Sequence, residues 1–154
     1  MKDTDAIVAA FIKDNSIDAE HMVFDKSCHS VDEAAAAAGV SPSDLVKSIC
    51  MLDDDDNLIV AIVNGKDRAS TSRVAKALGT SRPRIAEPQE VMDMTGFPVG
   101  GTPPLGFEAT FIMDERIFDK EFILAGGGSD RSLIRIGPDE LKKANSAKIA
   151  RVRK

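Results

Sequence analysis

Cysteine and histidine are scarce in this chain of 154 residues, with two of each, and the scarcity removes whole classes of chemistry. Cys28 and Cys50 form no C-x-x-C pair, and with only His21 and His29 to help they do not assemble a zinc site, so no metal is expected. So few thiols fit a reduced, cytoplasmic setting best. Long apolar runs are missing as well. The longest, near Leu58 to Val63, falls far short of the roughly 20 residues a bilayer requires, so neither a membrane span nor a signal peptide is expected. A basic excess is also lacking: 20 Lys+Arg stand against 25 Asp+Glu, a net charge of −5. Affinity for nucleic acid held by bulk electrostatics scales with the phosphates neutralised, and this balance argues against it, though not against a local basic face. Finally, there is no G-x-x-x-x-G-K-[ST] loop, dinucleotide fingerprint, G-x-S-x-G elbow or H-E-x-x-H helix. No cofactor is expected.

What is present fits one folded domain. Hydrophobic residues make up 43% and charged residues 29%, and a chain of this size buries about 70% of the surface its unfolded form exposes, enough to hold a fold without disulfides. Ile7, Val8, Phe11 and Ile12 recur at helical spacing and predict an amphipathic first helix over residues 4–15. An almost pure alanine helix follows from Val31 to Ala38, with Asp32 and Glu33 in its first turn and Gly39 as its stop; side chains this small allow close approach to another element. Ser41-Pro42-Ser43-Asp44 supplies a cap and a first-turn proline.

Lys47 to Leu52 and Leu58 to Val63 read as a hairpin with Asp53 to Asn57 at its tip. Those carboxylates lack the alternating ligands and central glycine of a calcium loop. Helices are predicted from Ser70 or Thr71 to Leu78 and from Pro88 to Met94, stopped by Gly79 and Gly96, and strands at Glu108–Met113, Phe122–Ala125 and Leu133–Ile136. A last helix spans Pro138 to Asn145. The segment 142–154 holds six basic residues and no acid, and reads as a solvated basic tail with cations at a helix C-terminus, or as a contact for a polyanion. Strands interleaved with helices give an α/β (α+β) single domain, with a mixed, strongly curved β-sheet flanked by helices.

Two glycine-rich segments stand out. Gly100-Gly101-Thr102-Pro103-Pro104-Leu105-Gly106 joins backbone freedom to proline stiffness, and Gly126-Gly127-Gly128-Ser129-Asp130 joins two strands. Each is either a plain turn or a pocket whose N–H groups face an anion or a carbonyl. Lys47 at the start of an apolar strand is either a snorkelling edge residue or a cation aimed into a cleft. Cys28 beside His29 does not read as a nucleophile pair, because adjacent side chains diverge.

The order of these pieces resembles the YbaK/prolyl-tRNA-synthetase-associated editing domain family. The resemblance is carried by His29 and the alanine helix, by Leu45-Val46-Lys47-Ser48 entering the hairpin, by Val74 to Gly79, by Ala86-Glu87-Pro88, and by Thr95 through Gly106. It covers about residues 25–141. It implies a free-standing deacylase that hydrolyses the ester of a mischarged tRNA, in this family usually tRNA for proline, with a small residue such as cysteine or alanine attached. It further implies that Lys47 holds the terminal adenosine and its phosphate and that Gly101, with the loop Gly100 to Gly106, grips the aminoacyl carbonyl. His29 and the turn Gly126 to Asp130 would line the amino-acid pocket. The implied partners are the tRNA acceptor end and a prolyl-tRNA synthetase. One departure is Ser27, where many relatives carry an aromatic. Two other readings use the same pocket: a noncatalytic module binding the acceptor end or a synthetase, and a hydrolase of another small acyl ester.

Overall fold

A computed structural model describes residues 3–154. The first helix, α1 (Thr4–Asp14), starts where the Asp-rich entry predicts, because the Asp3 carboxylate accepts from the Ala6 N–H at 3.0 Å. Its apolar spacing puts Val8 and Ile12 on one buried face. After β1 (Ala19–Val23) comes the alanine helix α2 (Val31–Ala38), capped by Ser30 and closed by Gly39 in the left-handed region at φ 68°. A 3-10 turn, Pro42–Asp44, delivers the chain into the hairpin β2 (Val46–Leu52) and β3 (Leu58–Asn64). The remaining elements are α3 (Thr71–Leu78), β4 (Arg84–Ile85), α4 (Pro88–Thr95), β5 (Thr110–Asp114), β6 (Ile123–Gly126), β7 (Ser132–Ile136), α5 (Pro138–Asn145) and β8 (Lys148–Ala150). No helix among the described residues is long and apolar enough to cross a membrane.

The mixed α/β architecture is as the sequence predicts, with one refinement: the expected curved sheet divides in two. One sheet has the order β1-β7-β6 and is antiparallel throughout. The other has the order β4-β2-β3-β5-β8, with β3-β5 and β5-β8 parallel. A single bridge between Leu45 and Leu124 joins them at the foot of β2. Alternation along β2 explains the layering. Val46, Cys50 and Leu52 enter the main core with Ile62, Ile123 and Ile134, whereas Met51 packs with Val63 and Val74 under α3. The small residues Ala34 and Ala35 of α2 pack onto Leu45 and Leu124.

In the basic segment 142–154, Lys142 and Lys143 are cations in the last turn of α5 as expected; the remainder is corrected by the structure. It is no solvated tail: Lys148–Ala150 forms an edge strand on β5, and Val152 is fully buried. The reason is Asp114, which is also fully buried. Its Oδ1 accepts from the N–H groups of Val152 at 2.9 Å and Arg153 at 3.1 Å, and its Oδ2 accepts from the Arg153 guanidinium at 3.0 Å. Burial alone pushes this carboxyl up, but the donated N–H groups outweigh it and hold the group below its ordinary range.

Removing the carboxylate leaves those donors and the Arg153 cation without their acceptor in a dry site, so Asp114→Ala is expected to cost about 3–5 kcal/mol in urea unfolding. The sign with pH follows from the lowered value. The contribution of Asp114 is whole above the unfolded carboxylate range and fades as pH falls through the folded value. The stability gap between wild type and Asp114→Asn therefore narrows in acid, and a gap that widens would contradict this account.

Candidate functional site

At the foot of β2 a cavity of about 310 Å³ opens between α2, the first residues of β2, the loop after α4 and the end of β6. Val31, Ala34, Leu45 and Leu133 give it an apolar floor, and His29, Lys47, Ser48, Gly100, Thr102 and Gly126 supply its polar wall. Alanine at position 34 is what brings α2 close enough to form this floor. Two larger grooves, about 500 and 630 Å³, are more open; Asp53, Leu78 and Met94 line the first, and Phe11, Phe107 and Ala144 the second. Of the residues that the sequence offers as catalytic or substrate-binding, those grooves hold only Leu105 and Gly106, in the second.

The two glycine segments form the wall by passing each other at backbone distance. Gly100 sits at φ 91° with the His29 imidazole over its α carbon. A Cβ on Gly101 would lie 2.5 Å from the carbonyl carbon of Ser129, and one on Gly126 would strike the Thr102 carbonyl. Both polar groups of Gly101 are engaged: its N–H donates to Pro98 O at 3.1 Å, and its carbonyl accepts from the Gly128 N–H at 2.8 Å. Gly101 thus braces the wall from behind. Among the described residues, the N–H groups of Gly100 and Thr102 donate to no protein acceptor.

The second turn is itself anchored. His21 Nε2–H donates to Gly127 O at 2.8 Å, a carbonyl having only lone pairs to offer. The Asp5 carboxylate accepts from Ser129 Oγ at 3.0 Å and from Ser132 Oγ at 2.5 Å. A Cβ on Gly128 would meet the Thr4 carbonyl at 2.6 Å, so α1 is packed directly on this turn.

Of the residues expected at the site, His29, Lys47, Gly100, Thr102 and Gly126 therefore meet at one cavity, with Gly101, Gly127, Gly128 and Ser129 behind its wall. Pro103 and Pro104 are buried, and the Pro104 carbonyl accepts from Asn145 Nδ2 at 3.0 Å. Leu105 is fully buried in the main core, and Gly106 faces Phe11. The prolines turn the chain inward, away from Lys47. Asp130 is exposed on the outer side, its carbonyl accepting from the Cys28 N–H. Sequence reasoning passed over Ser30, Val31, Ala34 and Ser48 as cavity residues; the alternation along β2 was the one signal that bore on Ser48. It also left His21 and Asp5 without a role.

Lys47 carries the cation of the site. Its ammonium is held below the usual lysine range chiefly by burial and then by the neighbouring Arg68 cation, while Asp67 pulls the other way. Cys28 is buried, and burial together with Asp130 and Glu33 pushes its thiol up, away from the reactive thiolate. The arrangement is a half-enclosed pocket with one cation at its rim and backbone along its wall, with no nucleophile and base in hydrogen-bond contact. No group of three or more metal-ligating side chains occurs among the described residues.

Residues 25–144 match the family model for the aminoacyl-tRNA editing domain. The chain belongs to this family. It is 27% identical over 128 residues to the Bacillus subtilis (strain 168) protein YwhH, covering 82% of this chain and 81% of that one. It is 28% identical over 113 residues to a proline–tRNA ligase of Geotalea daltonii, covering 71% of this chain and 20% of the ligase; the chain thus spans about a fifth of that enzyme. Among solved structures, a candidate trans-editing enzyme for prolyl tRNA synthetase superposes with a TM-score of 0.91 at 26% identity, covering 100% of this chain and 99% of the other. The matched segment begins after α1 and β1, although α1 packs on the second glycine turn.

The opposed influences on Lys47 predict opposite shifts. Arg68→Met removes a repelling cation and raises the Lys47 pKa, whereas Asp67→Asn removes an attracting anion and lowers it. Carbon-detected NMR titration of the lysine side chains reads both, and shifts of the same sign would disprove the stated environment.

Proposed function

We propose that this protein is a trans-acting aminoacyl-tRNA deacylase, hydrolysing the ester between a small noncognate residue, such as cysteine or alanine, and the 3′ end of tRNA for proline. The observation that carries the reading is the convergence of Lys47 and the glycine wall on one cavity of about 310 Å³. A space of this size admits a small aminoacyl group and the edge of a ribose. It does not admit a folded nucleic acid, so the acceptor end alone would enter. A protein of net charge −5 can hold such a substrate through a local cation, with the remaining tRNA contacts made elsewhere or by a docked prolyl-tRNA synthetase. Work on tRNA is a cytoplasmic task.

The chemistry follows from what the cavity offers. Lys47 neutralises the terminal phosphate and fixes the adenosine. Water attacks the ester carbonyl carbon, and negative charge gathers on the carbonyl oxygen. The N–H groups of Gly100 and Thr102, left over after Gly101 has spent its own, are the donors available to that oxyanion. Collapse of the tetrahedral intermediate breaks the bond from the acyl carbon to the ribose oxygen, which leaves with the proton given up by the attacking water, passed directly or relayed through the neighbouring ribose hydroxyl. A stiff backbone wall supplies this stabilisation without a side-chain nucleophile.

The decisive experiment incubates the full chain with tRNA for proline charged in turn with cysteine, alanine, serine and proline. Release of a noncognate residue with proline spared is expected, and Lys47→Ala is expected to slow it about 100-fold or more with the fold intact by circular dichroism. Acceptor-end binding without release of any residue would overturn the enzymatic reading in favour of an adaptor. Equal turnover of a free aminoacyl ester would assign the activity to a general small esterase.

A further inference from the structure

The hydrogen bonds of the glycine wall follow an order that leads from the cavity to a side chain that does not line it. A peptide group is planar and trans, so its N–H points the opposite way from its C=O. The Gly101 carbonyl and the Thr102 N–H belong to one such group. Its carbonyl accepts from the Gly128 N–H at 2.8 Å, on the side of the second turn. The Thr102 N–H is thereby aimed away from that turn, and Thr102 lines the cavity. The Gly128 N–H belongs in its turn to the peptide group that carries the Gly127 carbonyl, and this carbonyl accepts from His21 Nε2–H at 2.8 Å. Two peptide groups therefore stand in series between the His21 imidazole and the Thr102 N–H, each held at its carbonyl and passing the bond on through its N–H.

Such a series does two things. It fixes the plane of the last peptide group, and it polarises that group, because a carbonyl that accepts a hydrogen bond makes the N–H of its own group a better donor. The other anchors of the turn act elsewhere. Asp5 holds the hydroxyls of Ser129 and Ser132, and the Gly127 N–H, which belongs to the preceding peptide group, donates to Ser132 O at 3.1 Å. Of these contacts, the His21 bond is the one made to the peptide group that faces Gly101. Strand pairing brings the imidazole there, since His21 on β1 lies opposite Ile134 on β7, two residues beyond Ser132.

We propose that His21 is a positioning residue for the deacylation, orienting and polarising the Thr102 N–H as an oxyanion donor through the peptide groups Gly127–Gly128 and Gly101–Thr102. The assignment rests on the deacylase reading above. It adds to the site a residue that lies before the matched segment, which begins at residue 25. His21 touches neither the ester nor the attacking water. Its contribution is felt when negative charge gathers on the carbonyl oxygen, whereas binding of the terminal phosphate by Lys47 does not draw on it. Loss of His21 therefore lowers kcat and leaves KM nearly as it was.

The test measures kcat and KM of the full chain on the cysteinyl and alanyl esters of tRNA for proline. His21→Leu, which removes the donor, is expected to lower kcat about tenfold with KM held within about twofold, a smaller loss than deleting an oxyanion donor outright. His21→Gln, whose side-chain amide reaches the same carbonyl, is expected to recover kcat to within about threefold of wild type. Val74→Ala, which opens a void in the core under α3, is the control for stability alone; it lowers the urea midpoint and keeps kcat. If His21→Leu does not fold, His21→Asn, whose amide falls short of the carbonyl, takes its place. An unchanged kcat in His21→Leu, a loss carried by KM, an equal loss in His21→Gln or an equal loss in Val74→Ala overturns the assignment and leaves the deacylase reading standing. If no ester is hydrolysed the deacylase reading fails, and hydrogen exchange at the Gly128 N–H then decides the relay separately. Faster exchange in His21→Leu than in Val74→Ala supports it, and equal exchange refutes it.

Discussion

Two stretches of backbone pass so closely beside the cavity that no side chain fits between them, and the site depends on that contact. A Cβ on Gly101 would lie within 2.7 Å of the Ser129 α carbon, and one on Gly126 would lie 3.0 Å from the Thr102 carbonyl carbon. The hydrogen bond from Gly128 N–H to Gly101 O, 2.8 Å long, locks the two segments in register. Side chains would separate the layers and open the wall to water. Glycine on both sides turns the wall into packed peptide groups, whose fixed dipoles would need no reorganisation as charge develops in the proposed reaction.

That contact is held from outside by elements remote in sequence. Asp5, at the start of α1, binds both serines of the second turn, and His21 on β1 binds its central glycine. On the opposite flank Asp114 draws the C-terminal segment against β5, so that Val152 O accepts from Ser70 N–H at 2.7 Å and the Lys154 N–H donates to Arg68 O at 2.8 Å. The loop that carries Arg68 towards Lys47 is thereby tied to the end of the chain. Both anchors are carboxylates accepting several donors at once, an arrangement that fixes position more firmly than apolar packing because each donor would otherwise be left unpaired.

What was legible in the sequence was whatever a local pattern decides. The last helix begins at Pro138 and ends at Asn145 as expected, because a first-turn proline, two early acids and two late lysines all act within one element. The hairpin and the alanine helix were equally plain. The short strands were not: β4 has two residues and β8 three, and each exists only through its pairing with Met51 and Leu52, or with Ile112 to Asp114. Lys47 and both glycine segments were marked by residue type, whereas Pro104 to Gly106 were grouped with the site because the whole loop resembles the family's. Their turn into the core is set by Leu105 and by Asn145 holding the Pro104 carbonyl. For Ser48 the alternation along β2 was the only signal, because its surroundings come from α4 and the loop after it, which the strand itself does not encode.

The same long-range placement bears on the proposal that an acidic protein holds an anionic substrate. Two of the basic residues gathered near the C-terminus are engaged elsewhere, Arg153 by Asp114 and Lys148 by the carbonyl of Ala77, and none of the six lines the cavity. Positive charge at the cavity comes instead from Lys47, half-buried and close enough to Arg68 to be destabilised by it. Both effects work against the charged ammonium in the free protein. In the proposed complex, a phosphate at the rim would give Lys47 a counter-charge and offset the repulsion from Arg68. Under the proposed function, recognition of the acceptor end would then rest on one local cation and not on a positively charged surface.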